Sequence, residues 1–353
     1  MMRPGRLIGI LLFILPALAF VHPGSLWADD RTFGSQMREA LEEQFHESFA
    51  ALRSEYGLHP FLPVDGKKAG NDERGGQSVI LVHGLDDPGL IWQDLAPALA
   101  RQGFRVFILS YPNDQPIRDS AAFFFRQLQE FAGRAGWERA APVAIVSHSM
   151  GGLVTREMLT SPALGYARAE EARLVPPLSH FIMIGTPNHG SAFSRLRLLT
   201  EIRDQAVIGT EKGYNWLRPI ADGLGEAATD LYPGSEFLTD LNCRPLPRVG
   251  RMLVVAGIMS PFEQGETVAF LHGLRAMVPE PVQPPPGLEL LVGKVIGQLG
   301  DGLVSVESAR LPDVPLIQVQ GTHVTIIRNL GGSTSRVPPA IPVVLRELEQ
   351  DEH

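Results

Sequence analysis

The chain is expected to be an α/β protein, with a mostly parallel sheet of about six or more strands flanked by helices and carrying a helical insertion. Short apolar runs alternate with longer stretches of helical periodicity from about residue 78 onward. The first of them, Val79-Ile80-Leu81-Val82, is continuously apolar, as in a buried strand. The alternation keeps one order through six runs, which favours a single domain over two. Composition agrees, since 44% of the 353 residues are hydrophobic, with 36 Gly and 29 Pro. That is the profile of a globular protein and not of a disordered tail or a disulfide scaffold. A net charge of −8 with no basic cluster argues against a nucleic-acid partner.

At the N-terminus, Arg3 and Arg6 precede an uncharged stretch from Leu7 to Val21, and Ser25-Leu26-Trp27-Ala28 leads into Asp29-Asp30. A basic start, a short apolar centre and small residues before a cut near Ala28 form an export-signal pattern over 1–28, which implies a secreted or periplasmic chain. A retained membrane anchor is the alternative, although the run is short for a bilayer span. Residues 29–77 read as a helical extension and linker. Met37, Leu41, Phe45, Phe49 and Leu52 recur at helical spacing between Phe33 and about Tyr56, and Gly66 to Gly76 is polar and Gly-rich.

The main domain is expected over 78–349. Its strands are read at Val79–Val82, Val106–Leu109, Val143–Val146, Phe181–Ile184, Met252–Val255 and Leu316–Val319. Helices are read at about Gly89–Arg101, at Asp119–Ala135 with apolar Phe123, Phe124, Leu128 and Phe131, and from near Gly151. The interval 191–249 has helical patches and exposed-looking apolar residues, namely Trp216, Leu217, Phe237 and Leu238. Connections this long are usually functional, often lids. Pro279 to Pro286, with five prolines, reads as a stiff surface loop. A single cysteine, Cys243, forbids an intramolecular disulfide and is expected as a packed thiol.

The strongest chemical signal is Ile145-Val146-Ser147-His148-Ser149-Met150-Gly151-Gly152, where a strand runs directly into a helix with a serine at the turn. A sharp strand-to-helix turn strains its apex residue and demands small residues two before and two after it, here Ser147 and Gly151. Ser147 departs from the glycine usual at that place. The bland alternative is a helix start capped by Ser149. A serine hydroxyl needs an imidazole to take its proton and a carboxylate to orient that imidazole, following later in the chain in the order acid, then histidine. Asp301, in the Gly-flanked turn Gly300-Asp301-Gly302, is the candidate acid. His323, directly after the sixth run, is the candidate base. His148 neighbours Ser149, but adjacent side chains in an extended segment point to opposite faces, so it is set aside as the base. Negative charge on a tetrahedral oxygen calls for backbone donors, expected from the N–H groups of Met150 and Leu85, with Gly84 allowing the turn. His83 is read as shaping that loop.

These segments resemble the α/β-hydrolase superfamily, and within it the bacterial lipases and related esterases, including GPI-inositol deacylase-like proteins. The resemblance rests on Val82-His83-Gly84, Ser147 to Gly152, Gly185-Thr186-Pro187-Asn188-His189-Gly190-Ser191, Gly300 to Val304 and Thr322-His323, all in the expected order. It implies an α/β-hydrolase fold, a lid within 191–249, and Gly185 to Ser191 lining the site, with His83, Gly84, Pro187 and Asn188 as substrate-binding residues. It implies ester hydrolysis through a Ser149-His323-Asp301 triad, with an acyl ester or lipid as substrate and transient contact of the lid with a lipid interface. The same triad also serves acyltransferases, thioesterases, phospholipases and amidases, and a non-catalytic binding protein of this fold is the alternative from another class. Thr325 stands where many such lipases carry a calcium-binding Asp, so no calcium site is expected, and no metal or cofactor is implied.

Overall fold

The structure, a computed structural model, describes residues 56–62, 76–85, 89–113, 115–134, 142–191, 226–258, 300–329 and 336–351. The expected export signal, most of the extension and linker, Trp216 and Leu217, and the proline-rich loop lie outside these residues.

Among the described residues seven strands form one sheet: β1 (Gly57–Pro60), β2 (Ser78–Val82), β3 (Arg105–Ser110), β4 (Val143–His148), β5 (Leu178–Ile184), β6 (Arg251–Ile258) and β7 (Leu316–Gln320). Their order across the sheet is β1-β3-β2-β4-β5-β6-β7. All neighbours are parallel except β1, which runs antiparallel to β3 with Leu58 opposite Leu109. β1 falls within the stretch read as extension and linker, so the sheet begins earlier in the chain than residue 78. Gly57-Leu58-His59-Pro60 has little strand character of its own, and its pairing depends on the edge that β3 offers.

The helices are α1 (Leu95–Arg101), α2 (Ile117–Arg134), α3 (Met150–Thr160), α4 (Tyr166–Glu171), α5 (Glu226–Asp230), α6 (Glu236–Cys243), α7 (Val306–Ala309) and α8 (Ala340–Leu348). The helix expected over Gly89–Arg101 divides into a 3₁₀ turn at Leu90–Trp92 and α1. Alternate strand residues feed opposite faces of the sheet. Ile80, Val82, Ile145, Phe181, Met183 and Val254 pack with Phe124 and Leu128 of α2 and Leu153 and Met158 of α3. Val79, Leu81, Val146, Ile182, Ile184 and Val255 pack with Leu95 and Leu99 of α1 and Ile341 and Val344 of α8. Two layers of helices therefore bury both faces, which is why the central strands read as unbroken apolar runs.

Of the two readings open for Phe237 and Leu238, lid or core, the structure gives the second: they are 3% and 2% exposed and belong to the core beside α2 and α3. Charged groups tie this part of the insertion down. Asp230 Oδ2 accepts the N–H of Ile117 at the start of α2 at 2.9 Å, where a carboxylate also meets the positive end of the helix dipole. Arg244, just past α6, pairs with buried Glu157 of α3 at 2.7 Å. Cys243 is exposed, contrary to the expected packed thiol. The buried residues of α6 are Phe237, Leu238 and Leu241, and a residue two beyond Leu241 turns away from that stripe. Among the described residues no helix is long and apolar enough to cross a membrane. Native protein is expected to give one rapidly reacting thiol with a disulfide reagent in the absence of denaturant, and a thiol that reacts only on unfolding would contradict the exposure of Cys243.

Candidate active site

At the C-terminal end of β4 the backbone reverses at Ser149, which adopts φ 54° and ψ −130° as α3 begins. A positive φ is strained for a residue with a Cβ. Here it is held by the Ser149 N–H, which donates to Ile184 O at 2.9 Å, and by a crowded neighbourhood. A Cβ at Gly151 would lie 2.3 Å from Val82 O and 2.4 Å from His83 O, so only glycine fits there. At the other flank, Ser147 is fully buried and its hydroxyl donates to Ile182 O at 3.2 Å. The departure from glycine at 147 thus carries no orphaned polar atom. Ser149 itself is partly exposed at the apex.

Asp301 and His323, separated by 22 residues, meet at the same rim. Asp301 lies beyond β6 and His323 three residues after β7. Nδ1 of His323 lies 2.7 Å from Asp301 Oδ2, with side-chain exposures of 5% and 0%. The other carboxylate oxygen, Oδ1, accepts the N–H groups of Leu303 at 3.0 Å and Val304 at 2.8 Å. The His323 N–H donates to Asp301 O at 2.9 Å. A carboxylate oxygen only accepts, so Nδ1 carries a proton, and in the neutral ring Nε2 then has the lone pair a general base needs. Gly185, after β5, makes room for this pair. A Cβ there would come 3.1 Å from Asp301 Oδ2 and 3.2 Å from the imidazole.

On the far side of Ser149, Gly84 approaches so closely that its Cβ would lie 2.7 Å from Ser149 Cβ. His83 is buried, stacks on Tyr111 at 4.6 Å and holds Gly84 O through Nδ1 at 2.9 Å, while Tyr111 donates to His83 O at 2.7 Å. Its ring shapes the loop, as read from the sequence. Among the described residues no acceptor takes the N–H of Leu85 or of Met150.

Pro187 and Asn188 sit deeper than expected. Asn188 is fully buried, and its whole amide is spent inside the protein. Oδ1 accepts from Arg156 at 3.0 Å, and Nδ2 donates to Ala309 O at 2.7 Å and faces Met183 Sδ at 3.9 Å. The Asn188 amide thus ties the loop after β5 to α3 and to the end of α7. Arg156, which the sequence reading passed over, is 3% exposed, and burial, with Arg244 adding repulsion, lowers its guanidinium to about 10. The signal for it was present: Gly152 and Arg156 share a helical face, and that face meets the loop after β5, with a Cβ at Gly152 falling 2.1 Å from Thr186 Oγ1.

The loop after β5 is stitched to the loop that carries Asp301. His189 N–H donates to Ser308 O at 2.9 Å, Ser308 Oγ to Gly190 O at 2.6 Å, and Ser191 Oγ to Leu303 O at 2.6 Å. Among the described residues no cluster of three or more His, Cys, Asp or Glu side chains has the makings of a metal site. Replacing Asn188 by Leu keeps the volume but orphans the Ala309 carbonyl and the buried Arg156. It is expected to cost about 2–4 kcal/mol in urea unfolding, and a loss under about 0.5 kcal/mol would mean that the amide is not a structural clamp.

A family model described as the alpha/beta hydrolase family matches residues 79–323, more than half the chain. Among solved structures, the mature form of Bacillus licheniformis lipase BlEst2 is similar over 82% of this chain and 97% of its own, at 19% identity and a TM-score of 0.51. Phospholipase PlaB from Legionella pneumophila, in complex with thio-NAD, is similar over 77% of this chain and 58% of its own, at 17% identity and a TM-score of 0.50. The metagenomic carboxyl esterase MGS0156 is similar over 79% of this chain and 77% of its own, at 18% identity and a TM-score of 0.49. No protein of curated function matches the sequence. With the sheet order, the turn at Ser149 and the family model in agreement, the chain belongs to the alpha/beta hydrolase family.

Proposed function

We propose that the protein is a serine hydrolase that cleaves carboxylic esters through an acyl-enzyme. The observation that carries this reading is the buried 2.7 Å contact between His323 Nδ1 and Asp301 Oδ2 on the same rim of the sheet as a serine held at φ 54°. Ser149 Oγ attacks the ester carbonyl as its proton passes to His323 Nε2, and a tetrahedral intermediate forms. The backbone N–H groups of Leu85 and Met150 receive the negative oxygen, Met150 with the added field of the α3 N-terminus. His323 then hands the proton to the leaving alcohol, and the acyl group stays on Ser149. A water molecule, deprotonated by the same imidazole, releases the acid and restores the hydroxyl. Asp301 keeps its proton-free form throughout and holds the ring in the working tautomer.

The description of the Bacillus licheniformis neighbour as a lipase is in keeping with ester cleavage, but at 19% identity the likeness carries the fold and not the substrate. The N-terminal pattern of Arg3, Arg6 and Leu7 to Val21 supports a site of action outside the cytoplasm.

A panel of p-nitrophenyl esters of increasing chain length, with glycerides and thioesters beside it, tests the reading. Wild type is expected to turn over at least one ester and to be labelled by a fluorophosphonate. Ser149→Ala should lose the label and about 10⁴-fold or more of kcat/KM. Asp301→Asn, with the tautomer no longer fixed, should lose about 10³- to 10⁴-fold. Undiminished turnover in Ser149→Ala would refute the reading.

A further inference from the structure

We propose that His148 is a positioning residue that sets the base against the nucleophile, an inference that rests on the roles given above to Ser149 and His323. His148 ends β4 and is 4% exposed. Its Nε2 lies 2.9 Å from the main-chain oxygen of His323. A carbonyl oxygen only accepts, so Nε2 carries a proton and donates it there. The two imidazole rings lie 4.6 Å apart, tilted by 47°, and Trp92 meets the His148 ring edge-on at 6.5 Å. A histidine packed for stability alone satisfies its nitrogens on any nearby acceptor. This one spends Nε2 on the carbonyl of the base itself.

The consequence is geometric. The main chain of His323 is gripped at both ends: its N–H donates to Asp301 O at 2.9 Å, and its C=O accepts from His148. The ring is held by Asp301 Oδ2. His148 is covalently joined to Ser149, whose N–H is pinned to Ile184 O. The spacing between the serine turn and the base loop therefore runs through one peptide unit and one hydrogen bond. In the reaction His323 Nε2 must serve the Ser149 oxygen first and the leaving oxygen second, both within hydrogen-bond reach. A drift of about 1 Å in such an arrangement costs roughly 100-fold in rate.

Three variants test this. His148→Phe keeps a ring beside His323 and Trp92 and removes the donor, His148→Met removes it with a flexible side chain, and His148→Gln returns an amide N–H at about the reach of Nε2. Each is assayed with the best ester of the chain-length panel, with active sites counted by fluorophosphonate titration so that misfolded protein drops out. The Phe and Met variants are expected to lose about 10- to 100-fold in kcat with KM within about threefold of wild type, and Gln should recover at least about tenfold of that loss. Two donor-free shapes ensure that one variant failing to fold leaves the comparison intact. The inference is overturned if a donor-free variant retains wild-type kcat within about twofold, or if Gln is no faster than Met. Activity that survives Ser149→Ala would instead strike the underlying reading, which separates the two failures.

Discussion

A carboxylate withdrawn from water must spend its lone pairs on donors, and Asp301 does so by drawing its own turn and the loop after β7 around itself. Its Oδ1 takes the N–H groups of Leu303 and Val304, which closes the turn beyond Gly300. Its Oδ2 takes the imidazole of His323, and its own main-chain oxygen takes the N–H of the same residue. With side-chain exposure of 0%, the charge has no solvent to fall back on. Removing any of these donors leaves part of a buried charge uncompensated, at a cost well above that of a surface pair. The arrangement of the rim follows from satisfying this one group.

A second ring of contacts keeps those donors in place. The loop after β5 bonds to the Asp301 loop through Ser191, His189 and Gly190, and to α3 through Asn188 and Arg156. α3 begins directly after Ser149, so the acid loop and the serine turn share one support. Close approach makes this possible: Gly151 lies against Val82 O and His83 O, and Gly152 against Thr186. The packing of small residues here is a demand of backbone meeting backbone.

Much of this was legible in the sequence, for definable reasons. β2, β4, β5 and β6 read correctly because strands buried on both faces are largely apolar along their length, and the more exposed β3 and β7 read from their place in the alternation with helices. Ser149, Asp301 and His323 could be singled out because each sits in a turn with its own backbone signature, one at a strand-to-helix junction, one between glycines and one directly after a strand. β1 was missed because Gly57-Leu58-His59-Pro60 acquires strand form only from its partner. Phe237 and Leu238 stayed open between lid and core because a short amphipathic helix does not say which neighbour will cover its apolar stripe. The partners of Asn188 were not legible because position in a loop is local, whereas one of them, Arg156, lies 32 residues away in the chain.

β1 occupies the outer edge of the sheet, and its antiparallel pairing takes up the outward main-chain groups of β3 opposite residues 57–60. Without it, Val106-Phe107-Ile108-Leu109 would present an unpaired apolar edge, a template on which strands of other molecules can add. A chain that began at Ser78 would keep both core clusters and every side chain of the proposed triad, yet would have lost its guard against self-association. Four residues of weak intrinsic strand preference, closed by Pro60, thereby put a short edge where a longer apolar one would stand.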